Sequence, residues 1–152
     1  MVIYLEDKTQ VGKRASELYC NGYNCAKCVY MAVTKELGEN EPDEKIIRIC
    51  SAFGGGIGRS GSVCGALLGS QIVLAGYTGK IGKDDSGDCA YIKAAEFLEK
   101  FRNKFGSTDC KDINKGDFVS VEHEKRCSYI VSWASEKVLD RILELKKKVE
   151  NK

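Results

Sequence analysis

Proline and histidine are almost missing from this 152-residue sequence, which has one of each, Pro42 and His123. A lone His123 excludes any site that needs two imidazoles. Covalent haem attachment is excluded as well, because Cys25-x-x-Cys28 is followed by Val29 where that motif needs histidine. With so little proline, long helices can run uninterrupted. A dominant charge is also lacking: 24 basic side chains face 22 acidic ones, a net charge of +2. That balance gives no reason to expect nucleic acid or acidic lipid as partner. The one basic cluster, Lys146-Lys147-Lys148, ends a helical pattern, where cations complement the helix dipole. Long apolar runs are absent too. The start, Met1 to Lys8, turns charged after a few residues and has no signal-peptide core. No segment reaches the roughly 20 apolar residues that cross a bilayer. These absences predict a cytoplasmic chain without membrane insertion.

What the sequence has in quantity is cysteine, eight residues, and glycine, sixteen, in a chain that is 43% hydrophobic. At this length the chain can bury a core without crosslinks, so we read residues 1–152 as one domain with its core over about 8–149. In a reducing compartment, eight thiols point to metal ligation or redox chemistry before a disulfide framework.

Hydrophobic periodicity is helical throughout. Val11, Ala15 and Leu18 mark one helix from Lys8 to Cys20, stopped by Gly22. Asn24 is placed to cap a second, with inward stripe Cys25, Val29, Ala32, Val33 and Leu37, closed by Gly38. A third begins at Pro42, carries Ile46, Cys50 and Phe53 on one face, and ends in the tract Gly54 to Gly61. Ser62 is read as the cap of a fourth, Val63 to Ala75, which has no charged residue and so should be central. Its Gly65 and Gly69 share a face and would admit another backbone. Tyr91, Ala94, Ala95, Leu98, Phe101 and Phe105 define a fifth, ended by Gly106. Cys110 starts a short turn or helix. The last helix carries Cys127, Val131, Ala134, Val138, Ile142, Leu145 and Val149. No stretch alternates at period two for long enough to need a sheet. The fold class is therefore all-α, a bundle of five to six helices around the glycine-containing apolar helix.

Four cysteines stand out by placement. Cys25 and Cys64 fall in first turns, Cys110 begins a short element, and Cys127 lies on the inward stripe near the start of the last helix. Free N–H groups at helix starts stabilise the thiolate, the form that binds metal or attacks a disulfide. The plain alternative for each is a buried cysteine packed as a small hydrophobe.

The stretches Gly22-Tyr23-Asn24-Cys25-Ala26, Phe53 through Gly69, and Phe101 through Cys110, with Cys127 after them, resemble the redox-active proteins named for their C_GCAxxG_C_C pattern. The resemblance covers about residues 10 to 140 and is most specific in Cys64-Gly65-Ala66-Leu67-Leu68-Gly69. It implies a small helical redox module, related to a domain of split-Soret cytochromes that is associated with an iron–sulfur site. Cys25, Cys64, Cys110 and Cys127 would be the family's four cysteines, acting in redox chemistry or as metal ligands. Cys20, Cys28, Cys50 and Cys89 are additional to that pattern.

Other readings stay open beside it. Cys20, Cys25 and Cys28 have a ferredoxin spacing, although flanking helical periods leave only residues 21 to 24 as loop. Cys25-x-x-Cys28 fits a thioredoxin-like dithiol without the βαβ context. Gly56 to Gly61 fits G-x-G-x-x-G, with Asp84 or Asp85 at a suitable distance, but no second strand pattern supports a dinucleotide fold. The milder form is anion binding by Gly55, Gly56, Gly58, Arg59 and Gly65. Zinc on the four thiolates is an alternative cofactor to an iron–sulfur cluster, as is none at all, and His123 either tunes Cys127 or lies on the surface. The expectation is an oxidoreductase or electron carrier using iron–sulfur chemistry or reversible disulfides, served by a redox partner protein and compatible with a homodimer. Non-catalytic metal binding and anion binding are the alternatives.

Overall fold

The computed structural model describes residues 2–38, 42–83 and 89–151, with side chains from residue 10 onward. Seven α-helices are found among them: α1 (Val2–Cys20), α2 (Cys25–Glu36), α3 (Glu44–Cys50), α4 (Gly65–Thr78), α5 (Cys89–Phe105), α6 (Cys110–Asn114) and α7 (Val121–Glu150). One 3-10 turn, Ser51–Phe53, continues α3. The described residues hold no named strand, only an isolated antiparallel bridge between Val63 and Asp109. The all-α reading holds, and the described helices number seven because the segment at Cys110 forms a short helix of its own. No helix among the described residues is long and apolar enough to cross a membrane.

Two close helix contacts organise the bundle, and each depends on glycine. A Cβ on Gly12 of α1 would lie 2.4 Å from Ser132 Oγ of α7, and one on Gly69 of α4 would lie 2.6 Å from the Ala26 carbonyl of α2. Gly65 serves the same approach, 2.8 Å from the Phe53 carbonyl and 3.1 Å from Cys25 Cβ. The two glycines of α4 thus seat its first turns directly on the start of α2. Helix α7, 30 residues and about 45 Å long at 1.5 Å per residue, packs on α1, α2 and α4. Phe97, Phe101 and Phe105 of α5 meet Trp133 of α7 with ring centroids 5.1 to 6.5 Å apart.

Several boundaries differ from the sequence reading for local reasons. Helix α1 extends back to Val2. Helix α3 starts after Pro42, where Asp43 accepts the Lys45 N–H at 2.8 Å. Ser62 does not cap α4: Cys64 is its N-cap, and the helix continues beyond Ala75 to Thr78. The inward face of α5 centres on Phe97 and Phe101, while Tyr91 and Ala95 face solvent. Val149 is likewise exposed at the end of α7. Asp84 and Asp85 lie outside the described residues.

Candidate functional site

The chain around Cys25 is fixed from both sides. At the end of α1, Tyr23 N–H reaches Leu18 O and Gly22 N–H reaches Tyr19 O, closing a Schellman turn with Gly22 at φ +96°. Asn24 then caps α2 by accepting the Lys27 N–H at 2.9 Å, and its amide donates to Cys50 O at 3.0 Å. Tyr19 and Cys25 are thereby held at one end of the bundle.

Cys64 and Cys110 are brought together by main chain. Cys64 N–H donates to Thr108 O at 2.8 Å and Cys110 N–H to Ser62 O at 2.7 Å, on either side of the Val63–Asp109 bridge. The preceding tract winds left-handed: Gly55, Gly56, Ile57, Gly58 and Arg59 all have φ between 59° and 74°. For Ile57 and Arg59 this costs roughly 1–2 kcal/mol each. Gly56 is indispensable in this turn, since a Cβ there would lie 2.6 Å from Ser62 O and 2.7 Å from Cys110 Cβ. Helix α6 begins at Cys110 and ends at Asn114, and α7 carries Cys127 in its second turn, not its first.

These four cysteines form one group, with Cys64, Cys110 and Cys127 buried and Cys25 partly exposed. Cys25 interacts electrostatically with Cys64 and Cys127, Cys64 with Cys110 and Cys127, and Cys110 with Cys127. No disulfide joins them, and Cys64, Cys110 and Cys127 are each below one-tenth exposed. A cleft of about 940 Å³ opens onto Cys25, Cys110 and Cys127, with Tyr19, Arg59, Phe118 and His123 in its wall. Cys64 lies behind it.

Electrostatics separates one thiol from the rest. Cys127 is lowered from its ordinary value near 9 to about 6, chiefly by the neighbouring Cys25 thiol, with burial opposing and the His123 imidazole, the Tyr19 hydroxyl and Asn114 adding to the effect. Cys25 is held well above the ordinary range by its neighbour Cys127 and by burial. Burial pushes Cys64 up to about 12 although the Ala66 and Leu67 amides donate to its sulfur. Burial also raises Cys110. The expected acidification by helix-start N–H groups is present at Cys64 alone of these three, and burial outweighs it there because desolvating a charge costs more than two N–H groups return. Tyr19 is raised, chiefly by burial and then by Cys127, so it remains a neutral donor.

The glycine loop serves the site differently from the anion-cradle reading. Gly55, Gly58 and Arg59 line the cleft, but Gly56 and Gly65 are packed against Cys110 and Cys25 and face none of it. The N–H groups of residues 57 to 62 all donate to carbonyls inside the loop and the adjoining turn. They are not free to hold an anion. His123 is half-buried in the cleft wall, its Nδ1 3.7 Å from Cys127 Sγ, so it tunes the thiol and is not a bland surface residue. Sequence reasoning missed Tyr19, Asn114 and Arg126, whose roles arise from contacts between elements. Cys20 and Cys89 are exposed and Cys50 is buried, while the buried Cys28, one turn after Cys25 in α2, also interacts electrostatically with Cys25.

Over residues 23–141 the sequence matches the model of the family described as "Putative redox-active protein (C_GCAxxG_C_C)". The chain belongs to this family. A protein of Archaeoglobus fulgidus named "Uncharacterized protein" is 32% identical over 151 residues, covering 93% of this chain and 99% of its own. No solved structure is significantly similar to the chain. The family description gives redox activity without a reaction, so the chemistry rests on the thiols.

A metal or cluster can be weighed against the same residues. Four thiols are the donor type that zinc and iron–sulfur clusters use. Among the described residues, however, no three His, Cys, Asp or Glu side chains converge to hold an ion.

Proposed function

We propose that this family member is a thiol–disulfide redox protein whose working pair is Cys127 and Cys25. The observation that carries the reading is that Cys25 and Cys127 line one open cleft as interacting neighbours, with His123 Nδ1 3.7 Å from the Cys127 sulfur and that thiol lowered to about 6. A thiolate already formed at neutral pH attacks, and a protonated neighbour resolves. In the forward direction the Cys127 thiolate attacks one sulfur of a partner disulfide, and the partner's other sulfur leaves as a thiolate. Cys25 then gives its proton to the leaving thiolate and attacks Cys127 Sγ. The Cys25–Cys127 bond forms and the second partner sulfur is released. Two electrons pass to the partner, which ends as one thiol and one thiolate, and the thiolate takes its proton from water. Tyr19 and His123 stabilise the thiolate before attack, and the Cys64 and Cys110 thiols stay neutral.

The test is anaerobic treatment of the reduced protein with one equivalent of a small aromatic disulfide, followed by peptide mass spectrometry. Two thiols should be lost per chain and appear as a Cys25–Cys127 bond, and Cys25→Ser should trap the mixed disulfide on Cys127. Loss confined to the exposed Cys20 and Cys89 would refute the reading.

A second reading makes the four cysteines ligands of an iron–sulfur cluster in an electron carrier. It is favoured by one observation: α2, α6, α7 and the N-cap of α4 each contribute one cysteine to a single group. A cluster would supply one-electron transfer there. Stoichiometric iron and sulfide after anaerobic preparation would replace the dithiol reading with this one.

A further inference from the structure

The buried amide of Asn114 has a position no sequence motif announces. Asn114 is 2% exposed and sits at the end of α6, between Cys110 and Cys127. Its Nδ2 donates to the Cys110 carbonyl at 3.0 Å and lies 3.5 Å from Cys110 Sγ. Its Oδ1 accepts from Arg126 Nη1 at 3.0 Å and, while Cys127 is protonated, from the Cys127 S–H at 3.7 Å, and it lies 2.9 Å from His123 Nδ1. One amide thus touches both thiols, the Arg126 guanidinium and the His123 imidazole.

These contacts leave no freedom in assigning the amide. A carbonyl oxygen only accepts and a guanidinium only donates, so the end facing Cys110 O is nitrogen and the end facing Arg126 is oxygen. His123 Nδ1, 2.9 Å from that oxygen, must therefore carry a proton. Neutral histidine in water favours the other tautomer, with its proton on Nε2. The protein selects the minority form by burying an acceptor beside Nδ1.

We infer that Asn114 is a positioning residue: it locks His123 as the Nδ1–H tautomer and holds it, together with Arg126, beside the Cys127 sulfur. A ring fixed in this way cannot turn Nδ1 away from Cys127 without breaking a buried hydrogen bond. The same amide ties α6 to α7, so Cys110 and Cys127 keep their spacing. This role rests on Cys127 being the reactive thiol, as proposed above.

The experiment uses the full reduced chain labelled with ¹⁵N-histidine, which reports on one ring because His123 is the only histidine. At about pH 8, where an ordinary imidazole is neutral, Nδ1 should resonate as the protonated nitrogen. Asn114→Ala should shift the population to Nε2–H and slow iodoacetamide labelling of Cys127 at fixed pH about tenfold, the loss expected for one hydrogen bond to a charged group. Combined with His123→Ala, it should slow labelling by less than the product of the two single effects, since both act through one ring. An Nε2–H ring in the unaltered protein overturns the inference, and this reading does not depend on any variant folding. Unchanged labelling in Asn114→Ala, or fully multiplicative losses, overturns it as well. Cys127 failing to label first in the unaltered protein overturns the redox reading and the role given to Asn114, while the ring spectrum still decides whether the hydrogen bond exists.

Discussion

Cys64 and Cys127 expose the same 5% of their surface, yet Cys64 lies deeper in the protein and their thiols are driven in opposite directions, to about 12 and about 6. Cys64 accepts from two main-chain amides at the start of α4. Cys127 has the Cys25 thiol and the Tyr19 hydroxyl as neighbours and lies 3.7 Å from the imidazole Nδ1 of His123. The difference lies in the surroundings. Cys64 lies behind the cleft wall, near thiols that oppose a second negative charge. Cys127 lines the cleft, with His123 beside it. Burial alone thus does not determine thiol reactivity, and the helix N-terminus, the feature most readable in sequence, is the weaker influence here.

The sharpest way to break this comparison is stability against pH. The folded Cys127 pKa is depressed, so its contribution is complete above about 9, falls as pH drops, and is lost below about 6. The folded Cys64 pKa is raised, so its contribution is complete below about 9 and is lost as pH rises towards 12. Unfolding by urea should show stability climbing by about 2–4 kcal/mol from pH 6 to 9, the order set by a shift of about three units. Cys127→Ser should flatten the acid limb and Cys64→Ser the alkaline one. Interchanged effects would show that the two thiols have been assigned the wrong way round.

Labelling rates give the next largest contrast. At pH 7 the thiolate fractions of the two sites differ by about 10⁵, and the lower intrinsic nucleophilicity of the more acidic thiol returns about half of that on a logarithmic scale. Cys127 should therefore label about 10²-fold faster than Cys64, as followed by peptide mass spectrometry. Equal rates would remove the electrostatic distinction.

A smaller effect tests how the four cysteines are gathered. Gly69→Ala forces a Cβ to within 2.6 Å of the Ala26 carbonyl and should cost about 1–3 kcal/mol in urea unfolding, loosening Cys25 from Cys64. Gly76→Ala, later in the same helix with open space around its Cβ position, should be neutral or stabilising by up to about 1 kcal/mol. If both variants behaved alike, the close approach of α2 and α4 would not be what organises the site. Smallest of all, Cys89→Ser, exposed at the start of α5, should change both stability and thiol loss within error.

The sequence alone revealed much of this. Asn24 as the cap of α2, Gly22 and Gly38 as stops, and Gly65 and Gly69 as a close-packing face are read from residues whose effect is local. The face of α5 was misread because Tyr91 and Ala95 are apolar yet exposed, and periodicity registers apolar side chains whether or not something covers them. The glycine tract was legible as a sharp turn, but the internal use of its N–H groups was not, since that follows from a left-handed winding joined to the Thr108–Lys111 segment.

By itself the sequence determined the helices and which cysteines occupy helix starts or inward stripes, because helix periodicity and capping act over three or four residues. Only the tertiary structure decided which of those sulfurs would be a thiolate. That depends on Tyr19, Cys25, His123 and Asn114 meeting Cys127 across helices far apart in the chain, and electrostatic energy follows distance in space.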